Sequence, residues 1–223
     1  NVTSQTGEIS IDTKAAGINY YNTEILNIRL GDQKDNFNVR STAANTQTNI
    51  YMGMGNDAIY VGSTIDSDLI LGELETAHGT LAGIKGELNL YAGGDSNALY
   101  VSDFDTTVGV TYGLITNNSI TGFSQGDINY SATGNFDNAL AIWTGKGDDV
   151  IEVSSVITDG MNQTVTSVYT NEDNDKITVS VSDDLNSPSH FVLPLGERRL
   201  DIFGQSGVDL SLIHISEPTR LLS

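Results

Sequence analysis

Gly53-Met54-Gly55-Asn56-Asp57-Ala58-Ile59 and Gly145-Lys146-Gly147-Asp148-Asp149-Val150-Ile151 share one form, Gly-x-Gly-x-Asp-x-apolar, and their reading decides the fold. Glycine reaches the positive φ that a sharp corner demands and leaves its carbonyl uncovered. The Asp offers a hard oxygen, and the apolar residue two places on plants the next strand in a core. Apolar and polar residues alternate on both sides of each corner, the period-2 pattern of strands with one buried face. Strand-turn-strand elements are expected at 28–30 to 37–39, 50–52 to 59–61, 88–90 to 99–101, 140–142 to 151–153, 168–170 to 177–179, and from 200–202 up to Asp209. Helices find almost no support.

Working outward, the same text occurs twice. Ile18-Asn19-Tyr20 returns as Ile128-Asn129-Tyr130, the turn opening at Gly31 returns at Gly145, and Leu88-Asn89-Leu90-Tyr91 returns as Leu200-Asp201-Ile202-Phe203, at offsets of 110, 114 and 112 residues. Self-similarity at a nearly fixed period marks an array in which each unit buries its apolar edge on a neighbour. Residues 1–16 read as the end of a preceding unit, 17–126 as one unit and 127–209 as a second, truncated one, so the chain is expected to be a fragment. The stretch from Leu210 through Ile213-His214-Ile215-Ser216-Glu217-Pro218-Thr219-Arg220 looks like a translated transposase adapter from sequencing-library preparation, and 210–223 is set aside as an artefact. The expected fold class is all-β, an elongated repeat architecture of the parallel β-solenoid kind, with Leu, Ile and Val stacked in an interior column. Tandem β-sandwich repeats are the alternative, since units near this length suit that fold too.

Twenty-nine acidic against ten basic residues leave a formal charge of −19, which repels phosphate backbones and anionic lipid heads, so neither nucleic acid nor membrane insertion is expected. The same imbalance draws divalent cations or simply keeps the chain in solution. With no cysteine there is neither a disulfide nor a thiolate metal site. No run approaches the roughly 18 apolar residues of a membrane span.

At the two clean turns the chain resembles the haemolysin-type, RTX-like calcium-binding repeats of large secreted bacterial proteins. The resemblance implies an exported β-roll whose consecutive loops share calcium. It implies calcium ligands at Asp32, Asp35, Asn56, Asp57, Asp148, Asp149, Asp173 and Asp175. Other turns depart from the pattern: Gly31 to Asp35, Gly93 to Asn97 and Asn171 to Asp175 lack one or both glycines, and 204–209 shifts them. Successive Asp or Asn positions of the turns, 35, 57, 97, 149, 175 and 209, are 22, 40, 52, 26 and 34 residues apart, so only Asp35 with Asp57, and Asp149 with Asp175, are expected to stack as neighbours. The competing reading needs no metal: each Asp or Asn closes its turn by accepting backbone N–H bonds.

Catalytic signatures are lacking. His78 and His190 have no second His or Glu at metal-ligand spacing, and no Gly-x-Ser-x-Gly elbow occurs. Arg198-Arg199 is the sole adjacent basic pair that a polysaccharide lyase could use. A repeated distinctive feature suits scaffold or binding roles better than a single active site. The expected function is a non-enzymatic structural or adhesive segment of an extracellular or cell-surface protein, with calcium ions, extracellular polysaccharide or another surface protein as partners. A polysaccharide-binding or lyase-type β-helix is the alternative.

Overall fold

The computed structural model describes residues 20, 22–65, 77–157, 164–180, 199–204 and 206–214. Residues 1–16, the connector 159–163, His190 and Arg198 lie outside them. Every regular element among the described residues is a strand. Tight turns join β1 (Ile25–Arg29) to β2 (Asn36–Val39), β3 (Gln47–Tyr51) to β4 (Ala58–Val61), and β5 (Leu88–Tyr91) to β6 (Ser96–Ser102). Three strands absent from the sequence expectation follow: β7 (Gly113–Ile115), β8 (Ser119–Thr121) and β9 (Ile128–Ser131). Then come β10 (Asn135–Trp143), β11 (Val150–Val153), β12 (Val165–Thr170), β13 (Lys176–Ser180), β14 (Arg199–Gly204) and β15 (Leu210–His214).

Two sheets result, a nine-stranded one in the order β1-β3-β5-β9-β8-β7-β11-β13-β15 and a six-stranded one in the order β14-β12-β10-β6-β4-β2. The six-stranded sheet is wholly parallel. In the nine-stranded sheet only β8 runs antiparallel, folded between β7 and β9. The chain therefore coils from sheet to sheet in a solenoid-like path, unlike the antiparallel layers of a β-sandwich. The stretch from 210, read from the sequence as foreign, continues this ladder: Leu210–His214 pairs in parallel with Lys176–Ser180, and its alternating Leu210 and Leu212 stay half exposed at the end of the sheet.

Because every strand but β8 keeps the direction of its sheet, turns that leave the nine-stranded sheet lie on one edge and turns that return to it lie on the other. The tight turns after β1, β3 and β5 leave it, whereas those after β10, β12 and β14 return to it. The two sequence units thus place their matching turns on opposite edges, related by half a rotation as well as an advance along the stack. The backbone amides of Thr133 and Gly134 both bond the Gly93 carbonyl at the first edge, while Lys146 N–H bonds the Thr106 carbonyl at the other.

Between the sheets lies the apolar interior. Val39, Val61, Val101, Ile142, Val168 and Ile202 follow one another in register down the six-stranded sheet. Ile28, Ile50, Leu90 and Tyr130 do so in the facing one. These belong to one continuous apolar cluster. Alternation forces the intervening residues outward. On the outer face of the nine-stranded sheet this builds an asparagine ladder, with the Nδ2 of Asn49, Asn89 and Asn129 each donating to the Oδ1 of the Asn one rung back, Asn27, Asn49 and Asn89, at 2.9 Å every time. Asn89 also donates to Glu87 Oε1 at 3.0 Å. Replacing the amide by a carboxylate removes both donations and sets a negative charge beside the buried Asn49 and the exposed Glu87 carboxylate. Asn89→Asp is therefore expected to lower stability at neutral pH by about 1–3 kcal/mol, read from chemical denaturation.

Candidate functional site: two columns of turn aspartates

Each ladder residue holds the rung before it. At the first edge Asp35 N–H donates to Asp57 Oδ1 at 2.8 Å and Asp57 N–H to Asn97 Oδ1 at 3.2 Å. At the opposite edge Val110 N–H donates to Asp149 Oδ1 at 2.6 Å, Asp149 N–H to Asp175 Oδ1 at 2.9 Å and Asp175 N–H to Asp209 Oδ1 at 3.2 Å. The pairs expected from spacing, Asp35 with Asp57 and Asp149 with Asp175, are neighbours. The wider separations of 40 and 34 residues stack as well. The extra residues fall between β4 and β5 and between β13 and β14 in the chain, outside these turns, so spacing along the chain is a poor measure of spacing along the stack.

A second tier surrounds these columns. Asn56 Oδ1 accepts Ser96 N–H at 3.1 Å, Asp148 Oδ1 accepts Asn174 N–H at 2.9 Å, and Asn174 Oδ1 accepts Val208 N–H at 3.0 Å. Asp32, Asn56, Asp148 and Asp173 are exposed, and Asp35 is half-buried. Asp57, Asp149 and Asp175 are only 1% exposed. Asp173 serves through its backbone, holding φ at 76° two places before the ladder residue. Gly55, Asp95, Gly147 and Gly207 occupy the same place, all at positive φ. The sequence reading placed Asn97 and Asp209 in the turn series without counting them as ligands, and it missed the second-tier Asn174. It also missed Asp103, buried at the opposite edge with its Oδ1 accepting Leu81 N–H at 2.7 Å.

One oxygen of Asp57, Asp149 and Asp175 is thereby committed, and the other is not. The Oδ2 atoms of Asp35, Asp57, Asp149 and Asp175 are buried without a hydrogen-bond partner. Burial raises the two central carboxyls: Asp57 and Asp175 are pushed up to about 6, opposed by the amides of Asp35 and Asp149 and reinforced by neighbouring carboxylates. Asp149 is pushed up for the same first reason, with the Val110 amide acting against it. The Thr144 hydroxyl lies beside that carboxylate without closing a hydrogen bond. Asp103 is likewise pushed up, chiefly by burial.

Orphaned hard oxygens suit a calcium ion, which takes six to eight of them. Among the described residues, however, no three His, Asp or Glu side chains converge as a metal site. Calcium at the paired turns would thus depend on backbone carbonyls and water beside one or two carboxylates. His78 Nδ1 meets Asp105 Oδ1 at 2.8 Å on exposed connectors. Aromatic side chains stack on one another: Tyr51 on Tyr91, Tyr60 on Tyr100, and Trp143 on Tyr169 with centroids 4.7, 5.1 and 5.0 Å apart, so their faces are largely taken by neighbouring rings rather than open to a sugar. Comparison with known protein families, curated proteins and solved structures yields no match.

Proposed function

We propose that the chain is a non-enzymatic scaffold segment of a secreted or cell-surface protein, a parallel β-solenoid that holds other parts at a distance or presents an adhesive surface. The observation that supports this reading is the recurrence of identical side-chain ladders from rung to rung, asparagine on asparagine and Asp onto the amide of the rung before. Such contacts extend a stack indefinitely and single out no rung for chemistry. Small-angle scattering is expected to give a rod-shaped envelope, and a near-spherical one would count against the scaffold. Incubation with polyuronates is expected to release no unsaturated sugar, and release of one would favour the lyase alternative.

Calcium bound at the turn pairs Asp35/Asp57 and Asp149/Asp175 belongs to the same proposal, supported by their uncommitted Oδ2 atoms. Ligand linkage then raises Tm in millimolar calcium over chelator at pH 7.5, by about 5 °C or more if calcium is well above its Kd. An unchanged Tm removes calcium and leaves the scaffold standing.

A further inference from the structure

We propose that the open face of the Tyr91 ring, with Asn129 and Ser131 beside it, binds an arginine side chain of a basic partner protein, a site that rests on the scaffold's presenting an adhesive surface. Arg29, Tyr51, Tyr91 and Ser131 follow one another in register through β1, β3, β5 and β9 on the outer face of the nine-stranded sheet. Tyr51 and Tyr91 lie face to face, centroids 4.7 Å apart and planes 8° from parallel. Against the other face of Tyr51 rests the Arg29 guanidinium, its Cζ 4.3 Å from the ring centroid. One end of the stack is therefore capped by a planar cation, attracted by the negative face of the ring. The other end is open. The next rung sets only Ser131 in register with Tyr91, too short to cover a phenol, and Tyr91 stays 39% exposed with Ser131 exposed beside it.

Hydrogen-bonding groups beside that face call for the same kind of ligand. The asparagine ladder ends at Asn129, two residues before Ser131 on the same face. Its Nδ2 donates to Asn89 Oδ1 at 2.9 Å, while among the described residues nothing donates to its own Oδ1. A guanidinium carries five N–H donors and no acceptor, so one stacked on the ring has donors to offer Asn129 Oδ1 and Ser131 Oγ. Charge acts in the same direction. Within β1, β3, β5 and β9 Arg29 is the sole charged residue, and it is engaged at the far end of the stack. Glu87 and Asp127, exposed and by alternation on the same outer face, each stand four residues, or about 13 Å, before Tyr91 and Ser131. A second basic residue four places along an extended partner reaches them. The formal charge of −19 draws such a partner in, gives a neutral sugar nothing and repels a polyuronate.

Fluorescence anisotropy with labelled octa-arginine and octa-lysine, equal in charge, tests the site in about 150 mM salt. Attraction between exposed charges is then screened within about 8 Å and is common to both peptides, whereas stacking on a ring favours arginine. Octa-arginine is expected to bind the parent about three- to tenfold more tightly than octa-lysine. Tyr91→Ala should remove most of that preference, and Tyr91→Phe, which keeps the ring face, should retain it. Ser131→Arg supplies a guanidinium from the chain itself, as Arg29 does at the other end, and should remove the preference with Tyr91 intact. A folding defect in the alanine variant therefore does not decide the result. Equal affinity for the two peptides, or a preference that survives both Tyr91→Ala and Ser131→Arg, overturns the proposal. Tighter binding of cellohexaose than of octa-arginine, lost in Tyr91→Ala, overturns it as well and gives the ring face to sugar. A rod-shaped scattering envelope without the arginine preference removes this partner and leaves the scaffold standing.

Discussion

Gly93→Ala is expected to destabilise the fold by about 3 kcal/mol or more, whereas Gly94→Ala one residue along should stay within about 0.5 kcal/mol of the parent. A Cβ on Gly93 would fall 1.7 Å from the Gly53 carbonyl oxygen, and backbone cannot yield as a flexible side-chain tip can. Gly93 also sits at φ 79°, where an alanine costs a further 1–2 kcal/mol or so. Gly94 has neither burden, since its added Cβ meets only the Met54 Cγ at 3.8 Å. The damage also spreads. The Gly93 carbonyl accepts the amides of both Thr133 and Gly134, so moving Gly93 off Gly53 disturbs the rung after it as well as the one before. In a stack stabilised by nearest-neighbour interfaces, such a lesion weakens two interfaces at once. Urea unfolding followed by circular dichroism of the two variants checks the contrast. Equal midpoints would mean that the glycine column is not held as closely as its carbonyl contacts imply.

Much of this arrangement was legible from alternation and turn chemistry. Ile59 and Ile151, predicted to plant the strands after the two clean turns, are 0% and 1% exposed. The degenerate turns were harder to read because glycine is not the only residue that tolerates a left-handed backbone. Asp95 and Asp173 take that conformation at φ 62° and 76°, so turns that seemed to have lost a glycine kept its geometry. The strands β7 and β8 were not assigned because Gly113–Ile115 and Ser119–Thr121 are three residues each, too short for alternation to show, and β9 showed only as the return of Ile18-Asn19-Tyr20 at Ile128-Asn129-Tyr130. Opposite placement of the two sets of turns was invisible for a different reason. A strand-turn-strand pattern reads alike whichever sheet comes first, and only pairing partners reveal which edge a turn occupies. The metal-free reading had each Asp or Asn closing its own turn by accepting backbone amides, whereas the amides accepted belong to the rung before. What no spacing could convey is that one oxygen closes a bond between rungs while the other is buried without a partner.

Trp143→Ala should lower stability by about 3–5 kcal/mol, with Trp143→Phe losing much less. The indole is 0% exposed and is the chain's one tryptophan. It lies face to face with Tyr169, centroids 5.0 Å apart and planes 9° from parallel, and Tyr169 continues onto Phe203 at 4.6 Å. Toward Tyr100 the stack steps diagonally, 6.3 Å and 28°, because Ala141 rather than Trp143 lies in register with Tyr100. The indole therefore joins two shorter stacks, Tyr60 with Tyr100 and Tyr169 with Phe203, into one column on the outer face of the six-stranded sheet. That face contains a second apolar cluster, with Ile65, Ala77 and Phe104 from the connectors packed among Tyr60, Trp143 and Tyr169. Truncation to alanine opens a cavity there and removes two ring contacts, each worth about 0.5–1.5 kcal/mol beyond the area lost. A phenyl ring keeps the stacking and most of the volume, so the difference between Ala and Phe isolates the column's contribution from that of the indole itself. Thermal melts followed by circular dichroism serve for both variants, since the fluorophore is gone. If Ala and Phe prove equally mild, the rings merely line up, and the burden of holding the rungs together rests with the Asn and Asp ladders.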